Sequence, residues 1–126
     1  MASNANWTII FDDKMIINQS VKNDEGHSIG YTINDDAFWN DSKWSNIWAI
    51  QHGATVSTDE VEYRDETPHS AYDASVLGDI SQFTTRWDAA HLENFQTIWD
   101  FDNVEGETEA EKIARLGARP TSYTSS

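Results

Sequence analysis

Residues 7–11 (Trp-Thr-Ile-Ile-Phe) carry β-branched and aromatic side chains with a single polar break at Thr8, the composition of a strand. Asp12-Asp13-Lys14 follows as a turn and Met15-Ile16-Ile17 as the returning strand, so the chain opens on a hairpin. A polar stretch over 18–27 leads to a third strand over 28–34. There Ile29, Tyr31 and Ile33 alternate with small or polar residues at period two. Gly30, inside that run, marks a bulge or a close backbone approach. Residues 35–45 form an aromatic loop with room for one helical turn begun at Asp35 or Asp36. Residues 46–51 give a fourth strand, closed by His52-Gly53. Over 58–64, Val61 and Tyr63 alternate with Asp59, Glu60 and Glu62, a fifth strand with one wet face. Residues 67–78, with Pro68, read as a loop.

The period then changes. Asp79 stands as an N-cap with Gln82 three places on, and Ile80, Phe83, Trp87, Ala90, His91, Phe95 and Ile98 recur at steps of three and four. That spacing predicts an amphipathic helix over about 80–99. Thr108 with Glu111 repeats the capping signature before a short helix over about 108–116. Its stripe is Ala110, Ile113 and Ala114, and Gly117 and Pro120 stop it. Strands first and helices last define an α+β fold: an antiparallel meander of about five strands (residues 6–65), one face covered by Phe83 and Trp87 of the long helix. We expect a single domain over 1–126, with 100–126 a candidate C-terminal docking arm.

The totals sharpen this picture. A chain of 126 residues with 38% hydrophobic residues and two prolines can bury a core without staples. Its 22 acids against 8 bases leave a net charge of −14. That charge opposes direct binding to a phosphate backbone, which needs Lys and Arg, and favours basic or neutral partners. Zero cysteines exclude disulfides and thiolate metal sites. The first residues show no secretory pattern and no apolar run is long enough to span a membrane. The sequons at Asn6, Asn18 and Asn40 are therefore expected to be accidental.

Catalytic and metal motifs do not assemble. From Asp100 an EF-hand would need an oxygen ligand at position 5 and Gly at position 6, where Val104 and Glu105 stand, so a solvated inter-helix turn is the expectation. His27, His52, His69 and His91 have no i, i+4 pairing, and His91 reads as a core or interface histidine. No nucleophile elbow or phosphate loop is present, and we expect no enzyme activity and no cofactor.

Six tryptophans are the remaining signal. Phe38, Trp39, Trp44 and Trp48 fall close together beside Asn, Asp and Ser, which leaves three readings open: core plugs, a protein–protein anchor, or a sugar-stacking platform. The number of indoles suggests that some become dry only against a second molecule. The candidate contact residues are Phe38, Trp39, Trp44, Trp48, Trp99 and Tyr123. Dispersed acids (Asp12/Asp13, Asp35/Asp36, Asp59/Glu60, 105–111) also leave open a DNA-mimic inhibitor of a host nucleic-acid-binding protein.

Three stretches together resemble a loosely defined group of small proteins of marine tailed bacteriophages. They are Trp7-Thr8-Ile9-Ile10 with its charged turn and second β run, Ile47 to Gly53 leading to Val61-Glu62-Tyr63, and the helix with Phe83 and Trp87 to His91. The resemblance covers roughly residues 6–95. The chain departs from the group at His52, where an aromatic is usual, and in its longer 35–45 insert. It implies a non-enzymatic structural component of a virion, tail- or fibre-associated, made in the host cytoplasm. Its partners would be other virion proteins in a symmetric homo- or hetero-oligomer, with no nucleic acid or membrane. A DNA-mimic inhibitor and a carbohydrate-binding module at a fibre tip are the alternatives.

Overall fold

In the computed structural model, which describes residues 7–53 and 59–124, Trp7 and Ile9 point to one side of the first strand and Thr8 and Ile10 to the other. Asn6, Thr58 and the last two serines lie outside the described residues. The strands are β1 (Trp7–Ile10), β2 (Met15–Lys22), β3 (Ser28–Thr32), β4 (Ile47–His52) and β5 (Glu60–Tyr63). They form one five-stranded antiparallel sheet in the order β3-β2-β1-β4-β5. β1 is central, so the chain leaves the β3 edge and returns to the far side of β1 instead of stepping to the next outer position. Residues 33–46 make that return.

This connection is the predicted aromatic loop. It contains α1 (Asp36–Trp39), capped by the Asp35 carboxylate, and a short 3-10 turn (Ser42–Trp44), capped by Asp41. Phe11, Phe38, Trp39, Trp44 and Phe83 interlock at one end of the core, with ring centroids 4.9–6.2 Å apart.

Alternation places Trp7, Ile9, Ile16, Ile50 and Val61 on the covered face, all buried. α3 (Ser81–Phe101) lies across β2 and β3, burying Phe83, Trp87 and His91. The Trp87 Nε1–H donates to the Ile29 carbonyl at 3.1 Å. Asn18 is also buried, its Oδ1 accepting from the Ser20 amide, a position no glycan could reach. The long helix and the short α4 (Glu109–Leu116) complete the α+β fold that the residue pattern predicts.

Two local features depart from the sequence reading, and two follow it. Residues 67–78 contain a one-turn helix, α2 (Ala74–Leu77), capped by Asp73 and plugged by buried Leu77; four residues are too few to show a period. At the start of α3 the Asp79 carboxylate accepts from the Ser81 amide at 2.8 Å. The Gln82 amide turns away to the Leu77 carbonyl, so no capping box closes there. At Thr108 both halves of the box do form. Gly30 is the close approach expected: a Cβ there would stand 2.7 Å from Ile17 Cγ1 on the neighbouring strand.

Candidate functional site

The six contact candidates separate by environment. Trp39 and Trp44 are core: Trp44 is 2% exposed. Their indole N–H groups donate to the Ile33 and Phe38 carbonyls at 2.9 and 3.0 Å. Of the three readings left open for this loop, these two side chains follow the core one, and neither offers a ring face for a sugar. Phe38 is half-buried against the same cluster under the Arg86 guanidinium, 3.9 Å from its ring centre. Arg86 in turn binds Asp35, whose carboxyl is held below its ordinary value chiefly by that bond.

Trp48 differs. β4 pairs Ile47 with Tyr63 and Ala49 with Glu62, so Trp48 is an extra residue against β5. The bulge breaks the alternation: Ile47 and Ile50 are both buried, and Trp48 between them is 43% exposed.

Trp99 and Tyr123 bind the C-terminal segment to its own chain. The Trp99 Nε1–H donates to the Gly117 carbonyl at 3.0 Å, and Lys112 Nζ sits 4.0 Å over the Trp99 ring. Tyr123 lies against Trp87, His91 and Phe95. Ion pairs reinforce this return, Arg115 with Asp102 and Glu107, and Arg119 with Asp100. Those arginines hold the Asp100 and Glu107 carboxyls below their ordinary values, and they occupy the oxygens a calcium loop would need. Residues 100–124 are thus folded back on α3.

The expectation that the indoles outnumber what one chain can dry therefore fails for four of them, Trp7, Trp39, Trp44 and Trp87. The physical reason lies in where the acids sit. Asp35, Asp41, Asp65, Asp73 and Asp79 accept backbone amides at turns and helix starts. The charge is spent on loop ends and leaves the interior to the rings.

Sequence reasoning missed the apolar surface that does remain. The α3 stripe runs beyond Ile98 to Phe101. Phe101 follows Phe83 by about five whole turns, so both point the same way from the helix about 27 Å apart. Phe83 is fully buried against the sheet and Phe101 is 82% exposed. Ile98, between them on the same stripe, is 57% exposed, and Val104 just beyond is open as well. α4 and the tail do not cover this side; Gln96, Trp99, Asp100 and Asn103 receive them. The three-residue step from Ile98 to Phe101 was the available signal.

His91 is a satisfied core histidine. Its Nδ1 is 2.6 Å from the Tyr31 hydroxyl and its ring stacks on Trp87 at 4.5 Å. Burial lowers its pKa, opposed by Asp88. Among the described residues, metal-ligating side chains gather at one place, where Glu60, Glu62 and His69 meet at the sheet edge. No helix among the described residues is long and apolar enough to cross a membrane. Comparison with protein-family models, curated proteins and solved structures finds no match to this chain.

Proposed function

We propose that the chain is a non-enzymatic structural component of a bacteriophage virion, tail- or fibre-associated, that works by docking on a neighbouring virion subunit. The observation that carries this reading is the uncovered end of the α3 stripe, Ile98 and Phe101, held out past the sheet on a helix anchored at both ends. An exposed phenylalanine with an aliphatic neighbour on an ordered helix offers an apolar anchor whose burial would supply interface energy. Phage membership itself is supported by the sequence resemblance.

The chemistry of the rim selects the occupant. Glu93, Glu105 and Glu109 are exposed in the same stretch of a chain of net charge −14, and a second copy would bring like charges together. The partner we propose is a different subunit presenting an apolar groove edged by Lys or Arg.

Mass spectrometry of gradient-purified particles from the encoding phage tests the proposal. The chain is expected in the particles at a fixed copy number. A phage carrying Phe101→Glu should lose it from the particle while the purified variant keeps its fold by circular dichroism. Absence of the chain from wild-type particles overturns virion membership. Full incorporation of the Phe101→Glu variant overturns the docking surface.

A further inference from the structure

We infer that Glu60, Glu62 and His69 form a binding site for a divalent zinc-like ion at the outer edge of the sheet. This inference does not depend on the role in a virion.

The backbone sets the donors. Val61 is fully buried beneath the sheet, so Glu60 and Glu62, on either side of it in β5, both point to the opposite, solvent face. Ser70 bridges Val61 in antiparallel fashion, with amide–carbonyl bonds of 2.6 and 3.3 Å in the two directions. That pairing puts His69 across from Glu62, on the same outer face, within reach of Glu60. A second tie, between the Tyr63 hydroxyl and Ser70 Oγ at 2.7 Å, fixes the segment from the opposite face of the strand. Three ligand side chains from two stretches of chain are thereby held together by the ladder itself.

The donor atoms of the three all lie within 4.8 Å of one another. On one tetrahedral zinc ion, two ligands each about 2.0–2.2 Å from it stand about 3.3–3.6 Å apart. The widest pair must therefore close by about an ångström, and the three side chains are part-exposed and free to do so by rotation. His69 Nδ1 already meets Glu60 Oε1 directly. Gln51 Nε2 lies 3.4 Å from Glu62 Oε2 and steadies that carboxylate from the next strand, as outer ligands of metal sites do.

Donor chemistry chooses the ion. Two carboxylates with one imidazole suit Zn²⁺, whereas Mg²⁺ and Ca²⁺ take oxygen ligands. The three protein donors leave a fourth tetrahedral position for water. The ion's +2 charge also falls on a chain with net charge −14, which raises its local concentration. Bound there, it ties the 66–70 segment to the edge strand.

Calorimetric titration of the EDTA-stripped full chain with ZnCl₂ at neutral pH, alongside His69→Ala and Glu62→Gln, tests the site. All three ligands are at the surface, so both variants should fold. One ion per chain is expected, with affinity at least about tenfold weaker in each variant. His52→Ala should be unchanged, and MgCl₂ should not compete. In proton–carbon spectra, one equivalent of zinc should move the His69 ring signals before those of His27. Equal zinc affinity in wild type and His69→Ala overturns the inference. So does a His69 ring that titrates with pH but ignores zinc, the behaviour of a plain Glu60–His69 ion pair.

Discussion

Replacing Trp44 by alanine tests whether the indoles are dried by this chain or by a partner. The side chain is 2% exposed and touches Phe11, Phe38 and Phe83 at centroid distances of 5.2, 5.7 and 5.3 Å. Burying roughly 200 Å² of indole at about 25 cal/mol per Å² is worth about 5 kcal/mol, an upper figure because unfolded chains already hide some surface. Large-to-small changes in cores cost about 3–5 kcal/mol, and the Phe38 carbonyl, which loses its indole donor, adds about 1 kcal/mol. The expected loss of about 4–6 kcal/mol rivals the whole stability of a small domain, about 5–15 kcal/mol. Trp44→Phe, which keeps a ring and loses the N–H, should cost about half as much. Trp48→Ala, at the open bulge, should cost no more than about 2 kcal/mol. Urea unfolding followed by far-ultraviolet circular dichroism, repeated over a hundredfold range of protein concentration, measures all three. A cost below about 2 kcal/mol for Trp44→Ala, parity with Trp48→Ala, or a wild-type midpoint that climbs with concentration would each defeat the reasoning.

Three further outcomes are expected. Gly30→Ala should destabilise by about 1–3 kcal/mol, because its Cβ would press on Ile17 in the adjacent strand; thermal melts in which it matches wild type would show that β3 can shift away. Thr108→Ala should cost about 1 kcal/mol and be felt first as loss of protection in α4 amides by hydrogen exchange, since the capping box is at that helix's start. Acid should act in two windows. His91 has a folded pKa below the ordinary 6.5, so the unfolded chain takes up its proton first and stability falls as pH drops below that value. The lowered carboxyls of Asp35, Asp65, Asp73 and Asp79 contribute stability that is present above their ordinary 3.8 and is lost as pH falls through their lower folded values. Urea midpoints should therefore decline between about pH 7 and pH 5 in wild type and less steeply in His91→Gln; equal slopes would remove His91 as the cause.

The strands were legible because Trp7/Ile9, Ile29/Tyr31 and Val61/Tyr63 alternate against polar neighbours, and alternation maps directly onto the two faces of a sheet. α3 was legible from Ile80 to Ile98 for the same kind of reason, and the Thr108 box announced α4. Strand order was harder. Nothing local says that β4 pairs with β1, because that pairing depends on how the 33–46 connection packs Trp39 and Trp44 over Phe11. The fate of the tryptophans was hidden likewise: beside Asn, Asp and Ser they resemble a wet surface, yet those polar neighbours are caps whose bonds face the backbone. The Glu60–Glu62–His69 grouping could be half foreseen from two carboxylates at period two in one strand. His69 entered only through the bridge between Val61 and Ser70, a contact across a loop that carries no period.

The central position of β1 also has a kinetic consequence. β1, β2 and β3 are linked by short turns and can zip together locally, but the other side of β1 stays bare until Ala49 reaches Ile10 and His52 reaches Trp7. Closing that long loop carries an entropic cost that must be met before its contacts form, so the second half of the sheet should assemble after the first. During synthesis the first three strands emerge from the ribosome with the N–H and C=O groups along one edge of β1 unpaired, and they wait there for the fourth.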